Sequence, residues 1–497
     1  MNYQMVAKVM GKIMGFEMVC LLVPLALASI NGDWHSARAF AYTIAVTAIF
    51  CLPTLFIKSH YSQLNTKDIL VIVAGAWIVI SLFGSLPYYF SGLVGNYVDC
   101  LFESVSGFTT TGATILSNIE VLPISVLFWR NFTHYMAGMG VLILVVVIFN
   151  LSGLRSYSLM GFANTGLSKA KTAPKVSHMV RILFSFYFGI TFVQIIVYML
   201  CGMPFFDSLM HAFSTAATGG FSIKNASVAA YNSTAVEMAT SFFMIVCGIN
   251  FNLIYLMLIR RFAQVLKNEE LKIFFLLIIM ATALISYDLC QFFGVSISDG
   301  LRMAIFQVAT IISTTGLYSE AFEYWPQFSK VVLLALMFIG GCAGSVGGGI
   351  KVVRTVLGCK LAGYTIHKML HPRAENIIYY HDEPVESAVI KRVAVFIGIY
   401  WSVFVLSFIG LSWCNYDFET TISATVAAIS NIGPGLGRVG PTFNYGFWPT
   451  PAKCLLIVDM FLGRLEFLPL LLFFVPEVWS SKQKNQSKTD NYVRVEK

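Results

Sequence analysis

SGFTTTGAT, residues Ser106 to Thr114, is a polar interruption in a very apolar sequence, three threonines running into Gly112. Its meaning comes from recurrence. Variants appear as STAATGGFS around Gly219, IISTTGLYS around Gly316 and AISNIGPGL around Gly433. The four glycines lie roughly a hundred residues apart, the mark of an internal repeat. Each sits between two long apolar segments. Four polar, glycine-centred loops gathered around one axis meet the requirement of a cation filter, in which backbone carbonyls replace the ion's water shell. Glycine suits such loops because it readily takes the left-handed conformations that aim successive carbonyls at one line.

The chain has 497 residues, 57% hydrophobic and 12% charged, with a mean hydropathy of +0.74. Soluble domains carry about 25% charged residues, so this is a polytopic helical membrane protein. Several apolar cores, such as Ile69–Leu86, Phe132–Phe149, Val393–Leu411 and Cys454–Val475, can supply the roughly 20 residues of a membrane helix. Nothing alternates as β-barrel strands would. Lys8 and Lys12 precede an apolar run without a cleavage motif, so the first helix is expected to be retained. The ten cysteines are scattered singly, without a CxxC pair or zinc spacing, and read as buried small hydrophobes. The net charge of +8 reads as membrane topology, not as nucleic-acid binding.

Two leading helices, about Val9–Ile30 and Phe40–Ile57, stand outside the repeat. Four units follow, each an apolar helix, a short re-entrant helix, a loop and a second apolar helix. The expected division is 1–62 for the leading hairpin, 63–150, 151–265 and 266–360 for the first three units, 361–480 for a cytoplasmic loop plus the fourth, and 481–497 for a disordered tail. An aspartate precedes each re-entrant helix, at Asp99, Asp207, Asp299 and Asp417, where it favours the positive end of the helix dipole. The carbonyl ends then face the axis, which suits a cation. With both termini cytoplasmic, 25 of the 33 Lys and Arg fall inside, seven outside, and Arg464 within a helix. That asymmetry follows the positive-inside rule and puts all four loops on the outer side.

The expected filter residues are Thr110, Thr111 and Gly112; Ala217, Thr218 and Gly219; Thr314, Thr315 and Gly316; and Asn431, Ile432 and Gly433. Four ordinary turns would not all follow a short aspartate-led helix. A second feature is GGCAGSVGGG, made of Gly340, Gly341, Cys342, Ala343, Gly344, Ser345, Val346, Gly347, Gly348 and Gly349. Each glycine costs a helix interior about 1 kcal/mol, so six of them predict a flexible intramembrane loop, with close helix packing as the alternative. The stretch is not a phosphate loop, because Ile350 separates Gly349 from Lys351 and no strand precedes it. Arg464 lies in the apolar run VDMFLGRLEFLPLLLFF. A charge there is costly and usually functional. It is expected to touch the glycine loop, with a local pair to Asp459 or Glu466 as the alternative. His367 and His371 have metal-compatible spacing but no third ligand, and read as a solvated helix face. Glu103 either adds negative potential near the outer mouth or bonds nearby backbone.

TTTGAT, ATGGFS, GGCAGSVGGGIKVVR, NIGPGLG and MFLGRLE together resemble the Trk, Ktr and HKT superfamily of potassium transporters, and within it the membrane subunits of the bacterial Trk system. The resemblance covers essentially the whole chain. It implies an all-α polytopic fold, pseudo-fourfold around one pore, with two extra leading helices. It implies potassium as the transported ion, since glycine in all four filters goes with potassium and serine in the first with sodium. It also implies a gate at Gly340–Gly349 contacted by Arg464, a homodimer in the bacterial inner membrane, and a cytosolic nucleotide-binding regulator of the TrkA type. The fourth filter, NIGPG, departs from the Thr-Gly form. No enzyme motif, covalent cofactor or nucleic-acid partner is expected. A symporter built on inverted repeats is disfavoured, because all four units run the same way. Coupling to protons or sodium stays open beside a gated channel.

Overall fold

The computed structural model describes residues 1–57, 66–151, 176–373, 377–381 and 383–479. The tail 481–497, most of the basic segment Arg155–Arg181 and most of Lys58–Lys67 lie outside them.

Two apolar helices come first, α1 (Tyr3–Ile30) and α2 (Trp34–Leu55). Asn2 and Asp33 cap them, each accepting a bond from an amide three residues on. The pair packs as a hairpin, and α1 also lies against the first unit. That unit is α3 (Thr66–Gly84), the short α4 (Leu86–Phe90), α5 (Tyr97–Phe108) and α6 (Ile124–Leu151). The second is α7 (Val176–Leu200), α8 (Phe205–Ala216), α9 (Thr234–Gly248) and α10 (Phe251–Leu258), with α11 (Phe262–Leu266) as a connector. The third is α12 (Glu269–Phe293), α13 (Ile297–Ile312), α14 (Gln327–Ile339) and α15 (Val352–Leu370). A two-residue antiparallel hairpin, β1 (Tyr379–Tyr380) and β2 (Glu383–Pro384), leads to the fourth unit. That unit is α16 (Ser387–Ser412), α17 (Phe418–Ile429), α18 (Thr450–Arg464), α19 (Leu468–Phe473) and α20 (Pro476–Trp479). The fold is all-α and polytopic. Among the described residues, six helices are long and apolar enough to cross a membrane, and the bent pair α9–α10 makes a seventh span if counted as one.

The four short helices α5, α8, α13 and α17 are largely buried, α5, α13 and α17 sharing one hydrophobic cluster and α8 contributing to two adjoining ones. Their starts differ from expectation. Asp99, Asp207 and Asp299 sit inside the first turn, and only Asp417 occupies the cap, where it accepts from the Thr420 amide at 2.9 Å. Asn96 and Ser296 cap two of the others and Pro204 precedes the third. Both placements put a carboxylate at the positive end of the helix dipole, which is why they are hard to tell apart in sequence.

Two outer helices read as continuous are broken. In the second unit the chain bends by 103° between α9 and α10, and Asn250 restarts the helix by accepting from the Asn252 amide. In the fourth, α18 ends at Arg464, and Glu466 and Phe467 take φ of 53° and 63° before α19 begins. Arg464 is therefore the last residue of a helix, not its centre. Hydropathy cannot see such breaks, because both sides of each are apolar. The third unit breaks as expected: α14 stops at Gly340, and residues 340–351 form a loop before α15.

Candidate functional site: a ring of four loops above a glycine loop

Each short helix ends the same way. The residue after the helix returns its amide to a carbonyl four back, the next takes a positive φ, and the third bonds five back. The positive-φ residues are Thr110, Thr218, Thr314 and Asn431, with φ of 50°, 52°, 56° and 54°. The bonds five back are Thr111 to Ser106, Gly219 to Ser214, Thr315 to Thr310 and Ile432 to Ala427, all 2.8–2.9 Å. Two residues beyond each positive-φ position stands a glycine, again with positive φ: Gly112 (80°), Gly220 (82°), Gly316 (81°) and Gly433 (98°). A β-branched threonine at positive φ is an outlier that surrounding structure must impose. Here the cap bonds impose it at three threonines, and Asn431 takes the same conformation in the fourth loop.

This corrects the second loop. The residue equivalent to Gly112 is Gly220, not Gly219, and the matching triad is Thr218-Gly219-Gly220. Ala217 is the helix cap one residue earlier. ATGG offers two adjacent glycines, and only backbone conformation chooses between them. The fourth loop, despite its Asn-Ile-Gly sequence, has the same backbone as the others. Its Asn431 side chain donates to Thr111 Oγ1 and to the Met460 carbonyl, both at 3.0 Å.

The loops close on one another. A Cβ on Gly112 would stand 2.2 Å from the Gly219 carbonyl oxygen. One on Gly220 would stand 2.4 Å from that of Thr315, one on Gly316 2.1 Å from that of Ile432, and one on Gly433 2.4 Å from that of Thr111. The order first, second, third, fourth, first is a complete ring whose neighbours approach too closely for any side chain.

A belt of ion pairs clamps the units around the ring. Arg302 of α13 pairs with Glu237 of α9, Lys330 of α14 with Glu419 of α17 at 2.8 Å, and Lys453 of α18 with Asp99 of α5 at 2.6 Å. These close the second-to-third, third-to-fourth and fourth-to-first junctions. The first-to-second junction is built differently. Arg130 of α6, fully buried, pairs with Glu103 of α5 at 2.6 Å and donates to the Ser222 carbonyl beyond the second loop at 2.8 Å. One turn on, His134 reaches the Gly107 carbonyl with Nδ1 at 2.8 Å and accepts from the Phe221 amide with Nε2 at 3.2 Å. Glu103 also holds Thr114 Oγ1 and the Ile115 amide, so it braces the first loop. Sequence reading missed Arg130 and His134 as site residues. The signal existed: ionisable residues in an apolar helix, the same one that singled out Arg464.

Below the ring lies the glycine loop. Its neck is closed by bonds from the Ile350, Lys351 and Val352 amides to the Phe338, Ile339 and Gly341 carbonyls. Gly340 (φ 74°) and Gly349 (φ 76°) meet there with no room for side chains, a Cβ on Gly340 falling 2.4 Å from the Gly348 carbonyl oxygen. The tip presses against the carbonyl ends of two short helices. A Cβ on Gly347 would lie 2.8 Å from the Ser313 oxygen, and one on Gly348 2.2 Å from the Ser430 oxygen. The Gly348 amide donates to Thr314 Oγ1 at 2.7 Å. The break in the second unit is healed by this loop: the Gly248 carbonyl accepts from the Cys342 amide at 3.0 Å, and the Phe251 amide donates to the Gly344 carbonyl at 3.3 Å. Ala343 donates to Glu270, Ser345 bonds back to the Cys342 carbonyl, and the Val346 carbonyl receives Arg464 Nη1 at 2.9 Å. Arg464 pairs with neither nearby acid. Asp459 is bonded by Ser407, and Glu466 pairs with Arg354 at 2.5 Å. Arg464 Nε and Nη2 are buried without a hydrogen-bond partner among the described residues.

The His367 and His371 rings lie with centroids 4.9 Å apart, tilted by 50°, and no cluster of three metal-ligating side chains occurs among the described residues.

Comparisons agree with the architecture. The family model of TrkH, cation transport proteins, matches residues 35–484. The Trk system potassium uptake protein TrkH of Halomonas elongata is 31% identical over 485 residues, covering 96% of this chain and all of that protein. The TrkH of Escherichia coli K12 is 30% identical over 490 residues, with 96% and 100% covered. The crystal structure of the potassium transporter TrkH from Vibrio parahaemolyticus superposes with a TM-score of 0.86 at 30% identity, covering 97% of this chain and 100% of that one.

Proposed function

The chain belongs to the TrkH family of cation transport proteins, and from that premise we propose that it takes up potassium through the ring, gated by the glycine loop. The observation that carries this reading is the closed ring of four positive-φ glycines, each backed against the carbonyl of the next loop. An ion on the axis exchanges its water shell for carbonyls from Thr110, Thr111, Thr218, Gly219, Thr314, Thr315, Asn431 and Ile432. The carbonyl ends of α5, α8, α13 and α17 add negative potential beneath it. The glycine loop occupies the place those helix ends favour for a cation. Arg464, buried beside it, adds a like charge that repels the ion while the loop is in place. Opening therefore requires the loop and the guanidinium to withdraw together.

In this reading the protein works as a homodimer in the bacterial inner membrane, both termini cytoplasmic, with a cytosolic nucleotide-binding subunit of the TrkA type acting on the loop from inside. The test uses purified protein in liposomes. The reversal potential should follow the potassium gradient and ignore sodium and proton gradients. Replacing Arg464 with alanine should raise rubidium flux by about tenfold with the potassium preference intact, since one hydrogen bond to a charged group is worth about 1.5–3 kcal/mol. A reversal potential that tracks protons or sodium would establish coupled transport instead. Unchanged flux in folded Arg464→Ala protein removes the gate.

A further inference from the structure

The glycine loop is held from above by Thr314 and from the side by Arg464. A third anchor comes from the start of α12. Glu270 is the second residue of that helix and is 1% exposed. Its Oε1 accepts from the Ala343 amide at 2.6 Å and from the Val353 amide at 3.3 Å. Ala343 lies on the descending limb of the loop, and Val353 in the first turn of α15, just past the neck. One carboxylate oxygen thus ties the loop to the start of α15. An acid that merely capped α15 would need Val353 alone. The shorter bond goes to the loop. Lys351 and Arg354 lie close enough to act on the carboxylate electrostatically, and the carboxylate in turn acts on the buried Tyr380 hydroxyl.

The turn carrying Glu270 is itself fastened to the cytoplasmic side. Asn268 caps α12, and its amide nitrogen lies 3.2 Å from His381 Nε2. The Glu269 amide donates to His381 Nδ1 at 3.2 Å. The Glu269 carboxylate pairs with Lys360 of α15 at 2.5 Å, and Lys360 also donates to the Tyr379 carbonyl at 2.9 Å. The start of α12, the body of α15 and the segment around Tyr379 and His381 form one knot, and Glu270 carries its reach into the loop.

We infer that Glu270 is the cytoplasmic latch of the glycine loop, a positioning residue through which displacement of α15 or of the 379–381 segment releases it; the inference rests on the gate reading above. The latch needs an acceptor oxygen at one point, reachable from both amides.

That makes the test discriminating. Full-length protein in liposomes is compared as wild type, Glu270→Ala, Glu270→Asp, Glu270→Gln and Arg464→Ala, reading rubidium flux and, by peptide mass spectrometry, labelling of Cys342 by a membrane-impermeant thiol reagent. Cys342 is fully buried in the loop and its thiol is free, so it reports loop position independently of flux. Alanine should raise flux by about tenfold and expose Cys342. Glutamine, whose amide oxygen can take both bonds, should restore low flux and protection. Aspartate, one methylene shorter, should fall between. Buried Cys100 and Cys247 must stay unlabelled, which certifies the fold. If alanine fails that control, aspartate against glutamine makes the same distinction. Wild-type flux and Cys342 protection in folded Glu270→Ala overturn the latch, and with Arg464→Ala still leaky they leave the gate standing. Glutamine as leaky as alanine also overturns it. Exposure of Cys342 without a rise in flux keeps the latch and overturns the gate.

Discussion

The ring and the glycine loop use the same residue for opposite ends. Both rely on glycines at positive φ pressed against carbonyls. In the ring, each loop's amides return to its own short helix, and the pattern repeats four times with bonds of 2.8–2.9 Å at the equivalent step. These cap bonds set the local shape, and Arg130 and His134 brace the first two loops from outside. In the glycine loop, apart from its neck, the anchors come from elsewhere: Thr314, Arg464, Glu270 and the broken end of α9. A segment whose partners sit on several elements moves when any of them moves. On the gate reading proposed above, local bonding makes a fixed part and borrowed bonding a releasable one.

The strongest way to break the comparison is to attack what backs the ring. Arg130→Ala leaves Glu103 buried and unpaired between the first two loops, and breaking a buried pair costs about 3–5 kcal/mol. Thermal unfolding in detergent should shift markedly downward, and potassium preference should fall with it. A stable, selective variant would mean the ring does not depend on this brace.

Next come two steric insults. Gly316→Ala places a Cβ 2.1 Å from the Ile432 oxygen at a φ of 81°. About 3 kcal/mol of strain and displacement should reduce potassium uptake by about a hundredfold. Gly348→Ala places one 2.2 Å from the Ser430 oxygen, a similar clash in the loop without the positive φ. There the loop should yield and not the ring, so rubidium flux should rise by about tenfold with selectivity kept. Loss of flux in both variants would erase the distinction between a fixed and a releasable part.

The smallest effect sharpens the fourfold comparison. Asn431→Thr gives the fourth loop the residue the other three carry and removes the bonds to Thr111 and the Met460 carbonyl. At about 1 kcal/mol, the potassium-to-sodium ratio from reversal potentials should change by less than about fivefold. A collapse of selectivity would show that the asparagine, and not the shared backbone, defines that position.

The break at Gly340 was legible because six glycines in ten residues cannot sustain a helix. The breaks at Ile249 and Leu465 were not, because Gly248 and Gly463 each stand alone in apolar sequence. Gly463 sits where its Cβ would fall 1.9 Å from the Ile429 oxygen, a reason visible only once α17 and α18 are packed. Arg464 announced itself by its charge, whereas Glu270 looked like any acid opening a helix.

The sequence by itself determined the class, the four units, their common direction and the place of each loop, because apolar length, glycine punctuation and charge asymmetry are local properties. It could not choose between Gly219 and Gly220, pair Arg130 with Glu103, or bring Arg464 and Glu270 to one loop. The contacts of Arg130, Glu270 and Arg464 join residues 27 to 118 positions apart. At such distances a side chain's partner is decided by how whole helices pack, and nothing in its neighbours along the chain records it.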